Sequence, residues 1–146
     1  ILSAAVLAGT GTGIAFFVFM AHRSGNLQAL AITTRHVVLA DWLFTAPEVV
    51  VQFTTGLMLM QRIGLSFTSP WFFTALGLFL FIGLCWLPVV VIQYRLRALA
   101  ASALHSGQLD PAFAPLMRCW TALGIPAFTA IVVLFWLMVF KPLPLI

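Results

Sequence analysis

Four long apolar runs, separated by short polar clusters, set the pattern of this chain. The first, Ile1 to Ala21, closes at His22, Arg23, Ser24, Gly25 and Asn26. An amphipathic lead-in over Leu27 to Arg35 precedes the second, which runs from Thr34 to about Gln61 and ends in a turn carrying Gly64, Ser66, Thr68, Ser69 and Pro70. The third starts at Trp71, an indole expected at the lipid interface, and continues to about Leu99, with Gln93, Tyr94, Arg95 and Arg97 as an interfacial anchor at its end; the fourth covers Arg118 to Phe140, followed by Lys141, Pro142 and Pro144. Between them His105, Ser106, Gly107, Gln108, Asp110 and Pro111 mark a turn, with a helical extension before it. A helix needs about 20 residues to cross the hydrocarbon of a bilayer, so each run is long enough for one crossing. The pattern predicts an all-α fold, a four-helix transmembrane bundle with short loops. Its helices fall at about 1–21, 34–61, 71–99 and 118–140 of a single integral membrane domain over 1–146.

The second run breaks the rule that such helices avoid acids and amides. Wound at 100° per residue from Asp41, the side chains of Thr45, Glu48, Gln52 and Thr55 fall within about 40° of one line. Their spacing of four, three, four and three is that of a seam facing other helices, while Val37, Val38, Leu43, Val50 and Phe53 are left for lipid. An acid near the centre of an inserted helix costs about 2.5 to 3.5 kcal/mol. Counting about 1.5 Å per residue from Arg35, Asp41 lies about 9 Å in and Glu48 about 20 Å in. Glu48 is therefore expected near the midplane, hydrogen-bonded to Gln52 or a carbonyl, and Asp41 is shallow enough to pair with an arginine. Pro47, beside Glu48, removes a backbone hydrogen bond and is expected to kink the helix. The stripe fits two roles: a proton relay or polar cavity for a cofactor, substrate or ion, and polar glue between helices.

Small residues dominate the first run. Ala5, Gly9 and Gly13 recur every four, a face that lets two helix backbones approach closely, and the polar stripe is its expected partner. The Gly9-Thr10-Gly11-Thr12-Gly13 stretch lacks the preceding strand that a phosphate-binding loop needs. His22 and His36 are candidate haem or metal ligands, since neutral imidazole suits both, although His36 points about 140° away from the stripe. Interfacial polar residues is the other reading of these histidines and of His105. Cys85 and Cys119, far apart and outside any CxxC pattern, read as membrane-buried small hydrophobes rather than a metal site.

Composition narrows the class. Of 146 residues 63% are apolar and 7% charged, which excludes a soluble core. The excess of seven Lys and Arg over three Asp and Glu lies near the ends of the runs, where it signals topology and not nucleic-acid binding. Arg23, Arg35, Arg95, Arg97 and Arg118 flank the first and third loops, against Arg62 and Lys141 on the other side. The positive-inside rule puts those two loops in the cytoplasm. The first run has no basic leader or Ala-x-Ala site, and Ile1 begins in mid-pattern, so a retained helix with residues upstream is expected.

The chain resembles a bacterial family of predicted integral membrane proteins known only as a domain of unknown function. The likeness is carried by Ala21-His22-Arg23-Ser24-Gly25, by Arg35 through Pro47, by Thr55-Gly56, and by Cys85-Trp86-Leu87-Pro88-Val89-Val90 with Gln93. It implies a multi-pass protein of the bacterial inner membrane. More distantly, the pattern is similar to the HemJ-type protoporphyrinogen oxidases and the CopD copper-resistance proteins, and through them implies haem b as a candidate cofactor. Two functional expectations follow. One is an accessory or structural subunit of a larger, for example respiratory, membrane complex, contacting lipid and other membrane subunits or further copies of itself. The other is a haem- or quinone-associated redox protein with Asp41 and Glu48 moving protons; a small transporter is a third.

The topology is testable on a background with Cys85 and Cys119 replaced. Cysteines at Ser24 and Ser106 should react with a membrane-impermeant thiol reagent only in inverted vesicles, and one at Ser66 only in spheroplasts. The reverse pattern would overturn the orientation.

Overall fold

A computed structural model describes residues 2–62, 64 and 66–140. The expected tail Lys141, Pro142 and Pro144 lies outside them, as does Ile1. Four helices make up the described chain: α1 (Leu2–Arg23), α2 (Leu27–Arg62), α3 (Pro70–Ser106) and α4 (Phe113–Phe140). All four are long and apolar enough to cross a membrane.

Local chemistry sets their ends. Gly25 turns the chain at φ 66°, a left-handed value suited to glycine, and the Asn26 side chain caps α2 by accepting from the Ala29 N–H at 3.1 Å. The lead-in over Leu27 to Arg35 is thus the first part of α2 itself. Ser69 caps α3 the same way through the Phe72 N–H at 3.3 Å, with Pro70 in the first turn, where no N–H is missed. Gly107, at φ 74°, ends α3 through its N–H to the Ala103 carbonyl. Asp110 accepts from the Ala112 N–H at 2.7 Å just before α4 begins at Phe113, earlier than Arg118.

α2 has 36 residues and α3 has 37. At about 1.5 Å per residue each exceeds the roughly 30 Å hydrocarbon layer by some 25 Å. The start of α2 and the end of α3 pack together with α1 and α4 in a core of Val18, Leu30, Leu96, Ala100 and Phe113, the last two fully buried. A second, smaller core of Met60, Trp71, Ala75 and Leu137 closes the opposite end. Trp71, expected at a lipid interface, is instead only 6% exposed, and its indole N–H donates to the Leu137 carbonyl at 3.2 Å. It clasps α3 to α4.

α3 packs along α4 and along the first half of α2, where Val37 and Val38, expected to face lipid, are buried, and α1 packs along the whole length of α2. The face that α1 turns inward is Ser3, Leu7, Thr10, Ile14, Val18 and Ala21, half-buried or buried at helical spacing. Ala5 and Gly9 are exposed, and a Cβ at Gly9 or Gly13 would meet nothing within 4 Å. Within this chain the small-residue face is therefore not the partner of the polar stripe. The a/d count along α1 selects Ser3 to Ala21 because apolar Ile14 and Val18 fill the core, which glycine cannot do.

Replacing the clasp with Trp71→Phe keeps the ring and removes the donor. The expected cost is about 1 kcal/mol, read as a lower Tm in detergent. Phe73→Leu, at a side chain 61% exposed, should leave Tm unchanged.

Candidate functional site

Pro47 has no N–H for the carbonyl one turn back, and its ring would strike that carbonyl in a regular helix. The chain answers with a wide π turn over Asp41–Thr45, in which the Ala46 N–H reaches back to the Asp41 carbonyl. The expected kink thus takes the form of a π bulge just upstream of the proline, a device frequent at functional sites. Its effect is to change the helical phase, so the stripe does not remain on one face.

Asp41 and Thr45 point inward and are 5% and 8% exposed. Glu48 and Gln52 are half-buried, and Thr55 is exposed with its hydroxyl on the Val51 carbonyl at 2.6 Å. Gln52 accepts from the Ser3 hydroxyl of α1 at 2.5 Å, so the outer part of the stripe faces α1. Asp41 faces α3, where Gln93 and Trp86, two turns apart, approach its carboxyl together with Thr45. All three neighbours are uncharged, and the arginine partner expected for Asp41 is absent from this set. Glu48 was expected to be the deep acid of the stripe, yet Asp41 is the more enclosed by protein.

The cluster is only partly satisfied. Asp41 Oδ2, Thr45 Oγ1, Gln93 Oε1 and Trp86 Nε1 are all buried, and none completes hydrogen-bond geometry with a partner; Glu48 Oε2 is in the same condition. Buried polar atoms of this kind are rare in folded proteins and costly, about 1 to 3 kcal/mol each. Their concentration around one carboxyl marks a site. Outside it, Trp42 Nε1 donates to Tyr94 Oη at 2.7 Å, a rung formed by the residues that follow Asp41 and Gln93. On the other side of Gln93 a cavity of about 10 Å³, about the room of one water, is lined with Val18, Thr34, Val37, Leu96 and Trp120. The Trp120 indole N–H is buried without a partner there, and the Thr34 hydroxyl is taken by the Leu30 carbonyl at 2.9 Å.

Gln93, expected in an interfacial anchor with Tyr94, Arg95 and Arg97, is instead buried. The signal for its burial was the seven-residue step from Trp86, which puts both on one face of α3. The histidines are not part of this site. His36 is exposed on α2, while His22 is half-buried and stacks on Phe113 of α4 at 5.4 Å. No group of three metal-ligating side chains occurs among the described residues. Cys85 is buried and Cys119 exposed, and both are free thiols.

Compared with known proteins, the chain matches the family model of the predicted integral membrane proteins DUF2269 over residues 1–142, and it belongs to that family. No curated protein and no solved structure matches it.

An incompletely paired polar cluster adds little to stability, and replacing it by well-packed apolar side chains is often neutral or stabilising. The double variant Asp41→Leu, Gln93→Leu should stay folded in detergent, with Tm within a few degrees of the parent or above it. A loss of more than about 2 kcal/mol would show instead that the cluster is glue.

Proposed function

We propose that this member of the DUF2269 family works through a proton-exchanging site at Asp41, acting as a membrane subunit of a larger inner-membrane assembly. The observation that supports this reading is the buried carboxyl whose neighbours are close but unpaired. Ionised, it accepts from the Thr45 hydroxyl, the Gln93 amide and the Trp86 indole. Protonated, its own O–H donates to Gln93 Oε1, and Thr45 turns its hydroxyl elsewhere. The Gln93 amide can donate or accept and the Thr45 hydroxyl can rotate, while the Trp86 indole, a donor only, serves a carboxyl oxygen in either state, so the site can hold or release a proton without repacking the helices. Hydroxyl and amide groups that serve in either direction are what such an exchange requires.

Ionisable residues inside membranes mark functional sites more often than not. Glu48, two turns further along α2 and also carrying a buried unpaired oxygen, extends the polar line toward Gln52 and Ser3. The subunit role rests on the short polar segments between the helices, which give a polar substrate little protein to bind. The respiratory complexes named above, and the haem- or quinone-associated alternative, would use the same carboxyl. In that alternative His22 and His36 are the candidate ligands, neither of them among the groups facing Asp41.

Infrared difference spectra of the protein in liposomes, recorded across a pH step and after exchange into D2O, test the site. A carboxyl C=O band that responds to both should vanish in Asp41→Asn and persist in Asp110→Asn and Glu48→Gln. A band that survives in Asp41→Asn, or none in the parent, contradicts the proposal.

A further inference from the structure

A second site lies between α1 and α4, away from the Asp41 cluster. It is an open cavity of about 400 Å³, lined by Phe19, His22, Arg118, Thr121, Ala122 and Ile125 among others. Its lining is graded along the helix axes. His22 stands one residue from the end of α1 and Arg118 in the second turn of α4, so the two polar groups share the end of the bundle where the first and third loops lie. Phe19, Ala122 and Ile125 lie progressively deeper toward the middle of the helices. The Thr121 hydroxyl is already bonded to the Met117 carbonyl at 2.9 Å, which leaves that deeper part without a free donor.

We propose that this cavity binds an anionic phospholipid, with the headgroup phosphate on Arg118 and His22 and the start of an acyl chain along Phe19, Ala122 and Ile125. Three observations converge on this occupant. The polarity gradient is that of a phospholipid standing at the depth where these helices end. His22 is held by its stack on Phe113 and lines the cavity with an imidazole, a group able to donate to a phosphate oxygen. The charge is complementary: no acid lines the cavity. Arg23, Arg35, Arg95, Arg97 and Arg118 crowd the same end, where Asp110 is the one acid in the connecting loops. Basic pockets between transmembrane helices on the cytoplasmic side are known to hold anionic headgroups. Guanidinium binds phosphate through paired N–H donors, so the arginine gives affinity and the histidine gives register.

The proposal is independent of the proton site and is tested separately. The full chain, purified in mild detergent and stripped of lipid, is titrated with dioleoyl phosphatidylglycerol, dioleoyl phosphatidylcholine or inorganic phosphate, with binding read by native mass spectrometry and Tm. Phosphatidylglycerol should bind at least tenfold more tightly than phosphatidylcholine and raise Tm. Arg118→Gln with His22→Gln should abolish that preference, and Ala122→Trp, which fills the deeper part at an exposed position while keeping both polar groups, should weaken binding of either lipid. Arg97→Gln, an exposed arginine of α3 at the same end, should leave both unchanged. Equal binding of the two lipids, loss of preference in Arg97→Gln as large as in the double variant, or unaltered binding in Ala122→Trp overturns the lipid site. Phosphate that competes fully with phosphatidylglycerol overturns it in favour of a free-anion site.

Discussion

A carboxyl group inside a helix bundle in hydrocarbon has no solvent to fall back on, and the arrangement of α2 against α3 is built around that fact. Every backbone donor and acceptor at that depth is satisfied within the helices or not at all, and a polar side chain must find its partners on a neighbouring helix. Asp41 has Gln93 and Trp86 close to it across the interface and Thr45 on its own helix, none of them in completed hydrogen-bond geometry. Apolar packing flanks the cluster, in one core that runs from the two-loop end up to Val37 and Ile92 beside it and in a smaller one under Trp71. The bundle is therefore held by packing on either side of the cluster, which can itself carry groups that stabilise it little. That division explains how a costly residue persists in a bundle of only four helices.

The π turn is the hinge between sequence and site. Pro47 disfavours a regular helix immediately before it, and the wide turn over Asp41–Thr45 absorbs the conflict, a turn that the helices around Pro88 and Pro126 do not have. Because the turn takes an extra residue, the helix beyond it is rotated relative to the helix before it. Asp41 and Thr45 look toward α3, while Gln52 meets Ser3 of α1. One stripe in sequence becomes two contacts in space, joined through Glu48. Trp42 and Tyr94 brace the outside of the first contact, so the buried pair and the external rung fix the same register between α2 and α3.

Much of this was legible in the chain, and the exceptions have physical causes. Four apolar runs gave four helices, since length and hydropathy alone decide what can cross a bilayer. Of the polar stripe, Asp41 and Thr45 are buried between the helices. Winding at a constant angle then failed at Pro47, where the period changes. Gln93 was hidden by its neighbours: beside Tyr94, Arg95 and Arg97 it looked interfacial, yet α3 continues to Ser106 and takes Gln93 inside. Trp71 misled for a similar reason, an indole at a helix start being as ready to clasp a neighbouring carbonyl as to sit among headgroups. The small residues of α1 suggested close packing, but a face without side chains cannot itself show which neighbour it meets. Bound lipid lies beyond any pattern in α1 or α4 alone, because His22 and Arg118 come together only when the helices do.

Asp41 is the polar centre of the bundle and faces Gln93 and Trp86 of α3. Asp41 and Asp110 are the two aspartates of the chain, so aspartate labelled with ¹³C at the carboxyl gives two assignable signals in solid-state NMR of the protein in bilayers. With ¹⁵N in the side chains, the Asp41 carbon should transfer magnetisation to the nitrogens of Gln93 and Trp86, and its shift should change with pH. An Asp41 signal with no contact to either nitrogen and no response to pH would contradict the account.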